Sequence, residues 1–185
     1  MEMMNELSAL LILSFPLAFL LHKAEEMITV QRWMLRNRDY VKVRFPFAKG
    51  AIRHLAELNS VAFGIAVAEK LLIVMLSSIA FLCYTDEWLI QHIWMGVTGA
   101  FSIHLLVHVG QAIALRRYTP GLVSTLVLLP YCGYLMHAIA QIFPMSDVIT
   151  TMAIGCVLAA VNLPLAHKLG MAVSKHTKLN TYRLL

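Results

Sequence analysis

The chain has 185 residues, 59% hydrophobic and only 14% charged, with a mean hydropathy of +0.73 and a net charge of +5. A soluble domain carries about a quarter of its residues as charges, so this chain could not cover its own surface with polar groups, and a soluble enzyme is excluded. Its three cysteines (Cys83, Cys132, Cys156) stand far apart in apolar stretches with no CxxC or Cys/His finger spacing, which excludes a disulfide framework and a zinc finger.

Lipid offers the backbone no hydrogen bonds, so each span must be a helix of about 20 residues. The first is expected over residues 6–33. Its start is acidic and no small-residue cleavage site follows, so it does not read as a cleavable signal peptide. The uninterrupted apolar run, residues 7–21, is too short to cross alone, and the helix must continue through His22, Lys23, Glu25 and Glu26. An acidic group at mid-membrane costs roughly 2.5–3.5 kcal/mol, so two adjacent ones need partners. His22, Glu25 and Glu26 share a helix face by their i, i+3 and i+4 spacing. Lys23 is expected to point aside and snorkel outward. Residues 31–53 form a basic loop suited to anionic headgroups, which accounts for the net charge without nucleic acid.

The second span, residues 51–84, repeats the device with His54 and Glu57 at i and i+3. Glu69 and Lys70 lie further along it, with Glu69 some 18 Å from Glu57, and read as an internal ion pair. The third span, residues 88–115, carries His104 and His108 at i and i+4, with Gln111 continuing the stripe and His92 at the outer surface. The Thr119-Pro120-Gly121 segment marks a break and is expected to start the fourth span, residues 120–143. His137 falls near the outer end of that span. The fifth, residues 147–173, contains Asn162 and, on nearly the opposite face, His167, which reaches the same level as the other imidazoles. His176 lies in the tail. The eleven methionines are scattered through apolar positions and read as packing.

Fourteen of the fifteen Lys and Arg residues fall on one side of a five-span arrangement, between Lys23 and Arg53, at Arg116 and Arg117, and from Lys168 onward. The opposite side carries Glu2, Glu6, Asp86, Glu87 and Asp147. The positive-inside rule then places the N-terminus outside and the C-terminus in the cytoplasm. The expected architecture is all-α: one transmembrane domain over residues 1–185, a bundle of five helices.

His22, Glu25, Glu26, His54, Glu57, His104 and His108 all lie near the cytoplasmic ends of their spans, in one layer roughly 10 Å thick. Carboxylates brought that close require compensating cations, and imidazole with carboxylate suits zinc, iron or manganese. Seven ligands are enough for two ions, as in helical bundles that hold two irons.

The His22-Lys23-Ala24-Glu25-Glu26 segment resembles the signature of the HXXEE family of small bacterial membrane proteins. The stretch from His104 to His108 and the Arg117-Tyr118-Thr119-Pro120-Gly121 segment are similar to later patterns of that family. The resemblance implies these site residues and a bacterial cytoplasmic membrane, and no reaction.

The expected function is a membrane-embedded metalloenzyme with a two-metal site. Di-iron oxidation of a lipid or other hydrophobic substrate comes first. A zinc or manganese hydrolase with Glu25 or Glu26 as general base is the alternative. A metal or proton transporter would need polar groups across the outer half, which offers few. A purely structural membrane protein would bind no metal at this layer.

Overall fold

A computed structural model describes residues 8–50, 52–53 and 59–183, with the side chains of residues 48 and 177–183 left out of the account. Among the described residues there is no strand. Five long helices carry the fold: α1 (Ala9–Arg44), α2 (Ser60–Cys83), α3 (Trp88–Leu115), α4 (Leu122–Ile142) and α5 (Met145–Arg183). The chain is an all-helical membrane protein. Helices α2, α3, α4 and residues Met145–His176 of α5 are long and apolar enough to cross a bilayer. Helix α1 is long enough, but Lys23, Glu25 and Glu26 interrupt its apolar character.

Local chemistry sets the helix ends. Ser8 caps α1 by accepting from the Leu11 amide at 3.2 Å, and Asn59 caps α2 by accepting from the Ala62 amide at 2.9 Å. Helix α3 closes on Arg116, which takes the left-handed conformation at φ 51°. Gly121 precedes α4 at φ 84°, a conformation that favours glycine. Pro16, Pro130 and Pro164 fall inside helices, which neighbouring helices allow in a membrane bundle.

Packing runs around α3, which adjoins all four other long helices. Helix α5 lies along α3 and α2, while α1 lies against α2, α4 and α3. The α3–α5 seam is made of small residues. A Cβ on Gly155 would strike the Gly96 carbonyl oxygen, and one on Gly99 would meet Met152 Cγ at 2.8 Å. In lipid, such close backbone approach is a main source of helix association. The core gathers Phe15, Phe81, Trp94, Met95, Leu105, Leu135 and Ile139, with Phe81 stacked on Trp94 at 4.5 Å between ring centres. Large apolar side chains such as Leu17, Leu72, Leu76, Val127 and Leu158 face outward, as lipid-facing surface requires.

Helix α1 continues well past residue 33, and this extension straps down the α3–α4 turn. Trp33 Nε1 donates to the Tyr118 carbonyl at 2.7 Å, and Tyr40 donates to the Leu115 carbonyl at 3.0 Å. Arg117 stacks on the Tyr40 ring at 3.8 Å and donates to Asn37 Oδ1 at 2.9 Å.

Candidate metal centre

The helical spacing that puts His22 and Glu26 on one face of α1 aims both at α3, where His104 and His108 face back one turn apart. One donor atom from each of His22, Glu26, His104 and His108 lies within 4.8 Å of the other three. Glu26 Oε1 is the hub. It sits 2.9 Å from His108 Nε2, 3.5 Å from His104 Nε2 and 3.7 Å from His22 Nε2. His104 Nε2 and His108 Nε2 are 3.1 Å apart. A tetrahedral zinc with bonds of about 2.0–2.1 Å places its ligand atoms about 3.4 Å apart. Four of the six spacings, at 2.9–3.7 Å, lie near that edge and all six fall within 4.8 Å, so the group could hold a metal ion.

Burial sharpens the fit. His22, Glu26 and His108 are buried, and His104 is half-buried with part of its ring on the outer surface of the bundle. His22 Nε2 and His108 Nδ1 are buried without a hydrogen-bond partner among the described residues. An unmatched buried imidazole nitrogen is costly unless something binds it. His22 Nε2 points into the donor cluster.

Lys23 departs from the sequence expectation. Instead of snorkelling outward it is buried, and its ammonium bridges Glu26 Oε2 at 2.5 Å and His104 Nε2 at 2.9 Å. The reason is electrostatic: a buried carboxylate needs a countercharge, and Lys23 lies one turn away from Glu26 on the same helix.

Glu25 stands outside the cluster. Its carboxylate accepts from the Ser124 amide at 2.6 Å, the Val123 amide at 3.2 Å and the Tyr118 hydroxyl at 2.7 Å. It therefore caps the first turn of α4, where free amides and the helix dipole favour an anion. Burial, with the Glu25 charge beside it, raises the Tyr118 phenol above its ordinary value, so it remains a donor. Ser124 also meets His22, with Oγ 3.0 Å from Nδ1, while the same hydroxyl reaches the Gly121 carbonyl at 3.2 Å. Gly121 lies directly on the cluster: a Cβ there would meet His22 Cε1 at 2.9 Å, His108 Cε1 at 3.1 Å and Glu26 Cγ at 3.2 Å.

Residues 13–135 match the family described as proteins of unknown function with an HXXEE motif, and the motif's His22 and Glu26 are the residues that converge on α3. The chain belongs to the HXXEE family. The matched segment spans most of α1, α2, α3, the Tyr118–Ser124 turn and most of α4, so every residue of the cluster and its cap lies within it. No curated protein and no solved structure matches the chain.

The other polar residues singled out by the sequence, among them the expected ligands His54 and Glu57, fare differently. His54 and Glu57 lie outside the described residues. Gln111 and His137 are exposed, and His92 is half-buried. His167 is buried, with its ring 6.0 Å from that of Phe63. Glu69 and Lys70 pair at 3.6 Å, and Asn162 donates to Glu69 at 3.0 Å. Helix α1 crosses α2 at Gly64, where a Cβ would meet Met27 Cε at 3.5 Å.

Sequence reasoning missed Lys23 and Ser124 as site residues, and marked Tyr118 and Gly121 only through the family-like segment from Arg117 to Gly121. Lys23 was visible in its i, i+3 spacing to Glu26. Ser124 carried no local signal, since it meets His22 across 102 residues.

Proposed function

We propose that this HXXEE protein is a membrane-embedded metalloenzyme that binds one transition-metal ion through His22, Glu26, His104 and His108. The convergence of three imidazole nitrogens on Glu26 Oε1 at 2.9–3.7 Å carries the reading. Four donors suit one ion; a second would have to draw on His54 and Glu57. Three histidines and one carboxylate accept zinc, iron or manganese. The reading keeps iron-dependent oxidation first and zinc- or manganese-dependent hydrolysis second, each on a hydrophobic substrate reaching the half-buried edge of His104 from the bilayer.

In this scheme Glu26 and the three imidazoles hold the metal. Lys23 compensates the Glu26 charge and, once displaced from His104, is left as a donor to Glu26 Oε2. The bundle keeps water away from all of them. The basic segments support an N-terminus outside and a C-terminus in the cytoplasm of a bacterial inner membrane.

A second reading rests on the Lys23 ammonium. A cation already bridging Glu26 and His104 can serve acid–base chemistry with no metal, moving a proton to and from an apolar substrate.

One experiment separates the two. Metal content is measured by mass spectrometry on detergent-purified wild type beside the His22→Ala/Glu26→Ala double variant. Close to one equivalent of iron, zinc or manganese in the wild type, lost in the variant, supports the metalloenzyme and names its metal. Folded wild type that takes up no stoichiometric metal on reconstitution overturns it and leaves the proton-transfer reading.

A further inference from the structure

The two adjacent glutamates of the motif do different jobs. Glu26 is the hub of the donor cluster, whereas Glu25 spends its carboxylate on the Ser124 and Val123 amides and the Tyr118 hydroxyl. Resting on the metal-site reading above, we infer that Glu25 is a positioning residue: by anchoring Ser124 it fixes His22 as the Nδ1–H tautomer, with the bare Nε2 aimed at the metal.

The hydrogen bonds impose this order. Ser124 has one hydroxyl proton, and the Gly121 carbonyl, 3.2 Å away, can only accept it. Ser124 Oγ is then an acceptor toward His22, so the proton between Oγ and Nδ1, 3.0 Å apart, belongs to Nδ1. A neutral imidazole protonated at Nδ1 carries its lone pair on Nε2. That nitrogen is the buried one with no hydrogen-bond partner, 3.7 Å from Glu26 Oε1.

Ser124 is held in place by Glu25. Its amide is the shorter of the two backbone bonds to the carboxylate, at 2.6 Å, so the first turn of α4 cannot rotate without breaking that bond. Gly121 completes the cradle, because only a residue without a Cβ lets the turn approach His22, His108 and Glu26 this closely. The chain Glu25, Ser124, His22 has the form by which metal-binding histidines are usually oriented: a partner on the other ring nitrogen sets the tautomer and raises the basicity of the ligand.

The test uses full-length protein in detergent micelles, wild type beside Glu25→Gln, Ser124→Ala, the double variant and Glu26→Gln. The first readout is metal-free: ¹⁵N shifts of the histidine ring nitrogens, with His22 assigned by its loss in His22→Ala. The second is titration with Co²⁺, followed by its visible absorption band. The expected wild-type result is an Nδ1–H His22 and one bound Co²⁺.

Glu25→Gln and Ser124→Ala each should lose the single tautomer and weaken Co²⁺ about tenfold, keeping one equivalent and the same band shape. The double variant should be no weaker than the worse single one, because both act through one chain. Glu26→Gln should lose the band. An Nε2–H His22 in the wild type overturns the inference, and so does a Glu25→Gln protein unchanged in tautomer and affinity. Loss of the bound ion in Glu25→Gln, as in Glu26→Gln, makes Glu25 a ligand and also overturns it. If the wild type shows the Nδ1–H tautomer but binds no Co²⁺, the metalloenzyme reading falls and the orienting relay stands.

Discussion

Lys23 and Gly121 show how much a single side chain decides here. Lys23 holds one candidate ligand atom, His104 Nε2, together with the second oxygen of Glu26, so an incoming ion has to displace its ammonium from the nitrogen. Lys23→Met should therefore tighten metal binding while leaving Glu26 a buried, uncompensated charge in the empty protein. The expected outcome is a lower thermal midpoint without metal and a larger rise on metal addition, read by a thermal-shift assay with and without Zn²⁺. Gly121→Ala acts in the opposite direction. Its φ of 84° is strained for any other residue, and the new methyl would meet His22, His108 and Glu26 within 3.2 Å. Metal affinity should fall at least tenfold in a Zn²⁺ competition titration, with helical content by circular dichroism unchanged.

At the scale of elements, the extension of α1 past residue 33 is the part that no span-length rule foresaw. Its Trp33, Asn37 and Tyr40 bind the backbone of residues 115–118 and the Arg117 side chain, so the turn over the cluster is held from outside the apolar bundle. Trp33→Phe removes the indole donor but keeps the aromatic bulk. It should loosen the Tyr118 turn, seen as faster hydrogen exchange at residues 116–124 and a metal affinity several-fold weaker. The cap on α2 is a separate device. Asn59 accepts from the Ala62 amide and exchanges hydrogen bonds with Ser174 on α5. Asn59→Ala should cost about 1 kcal/mol of stability in a reversible denaturation series.

For the whole molecule, the seam between α3 and α5 tolerates added bulk poorly, because Gly155 meets Gly96 backbone to backbone. Gly155→Leu drives a side chain into the Gly96 backbone and cannot be absorbed by rotating a flexible neighbour. The bundle should lose several degrees of thermal stability, measured in detergent by the temperature of aggregation. The cluster on α1 and α3 should weaken only as far as α3 shifts. A change confined to metal binding, with no loss of stability, would contradict this packing scheme.

Much of this was legible in the sequence for a simple reason. A membrane admits only helices, so hydropathy and length announce them, and helical spacing put His22 with Glu26 and His104 with His108 on common faces before any fold was known. The same spacing was silent on what lies across the bundle. It grouped Glu25 with Glu26, because residues one apart on a helix differ in direction by only about 100°. Which of the two meets α3 and which meets α4 depends on where those helices stand.

The sequence by itself therefore determined a helical membrane protein, the HXXEE family and the candidate ligand types. Only the tertiary structure decided that two helices supply four converging donors, that Lys23 lies among them and that Glu25 caps α4. The physical reason is range. Helical periodicity acts over three or four residues, whereas the contact between His22 and Ser124 joins positions 102 residues apart, brought together only by the packing of α1 against α4.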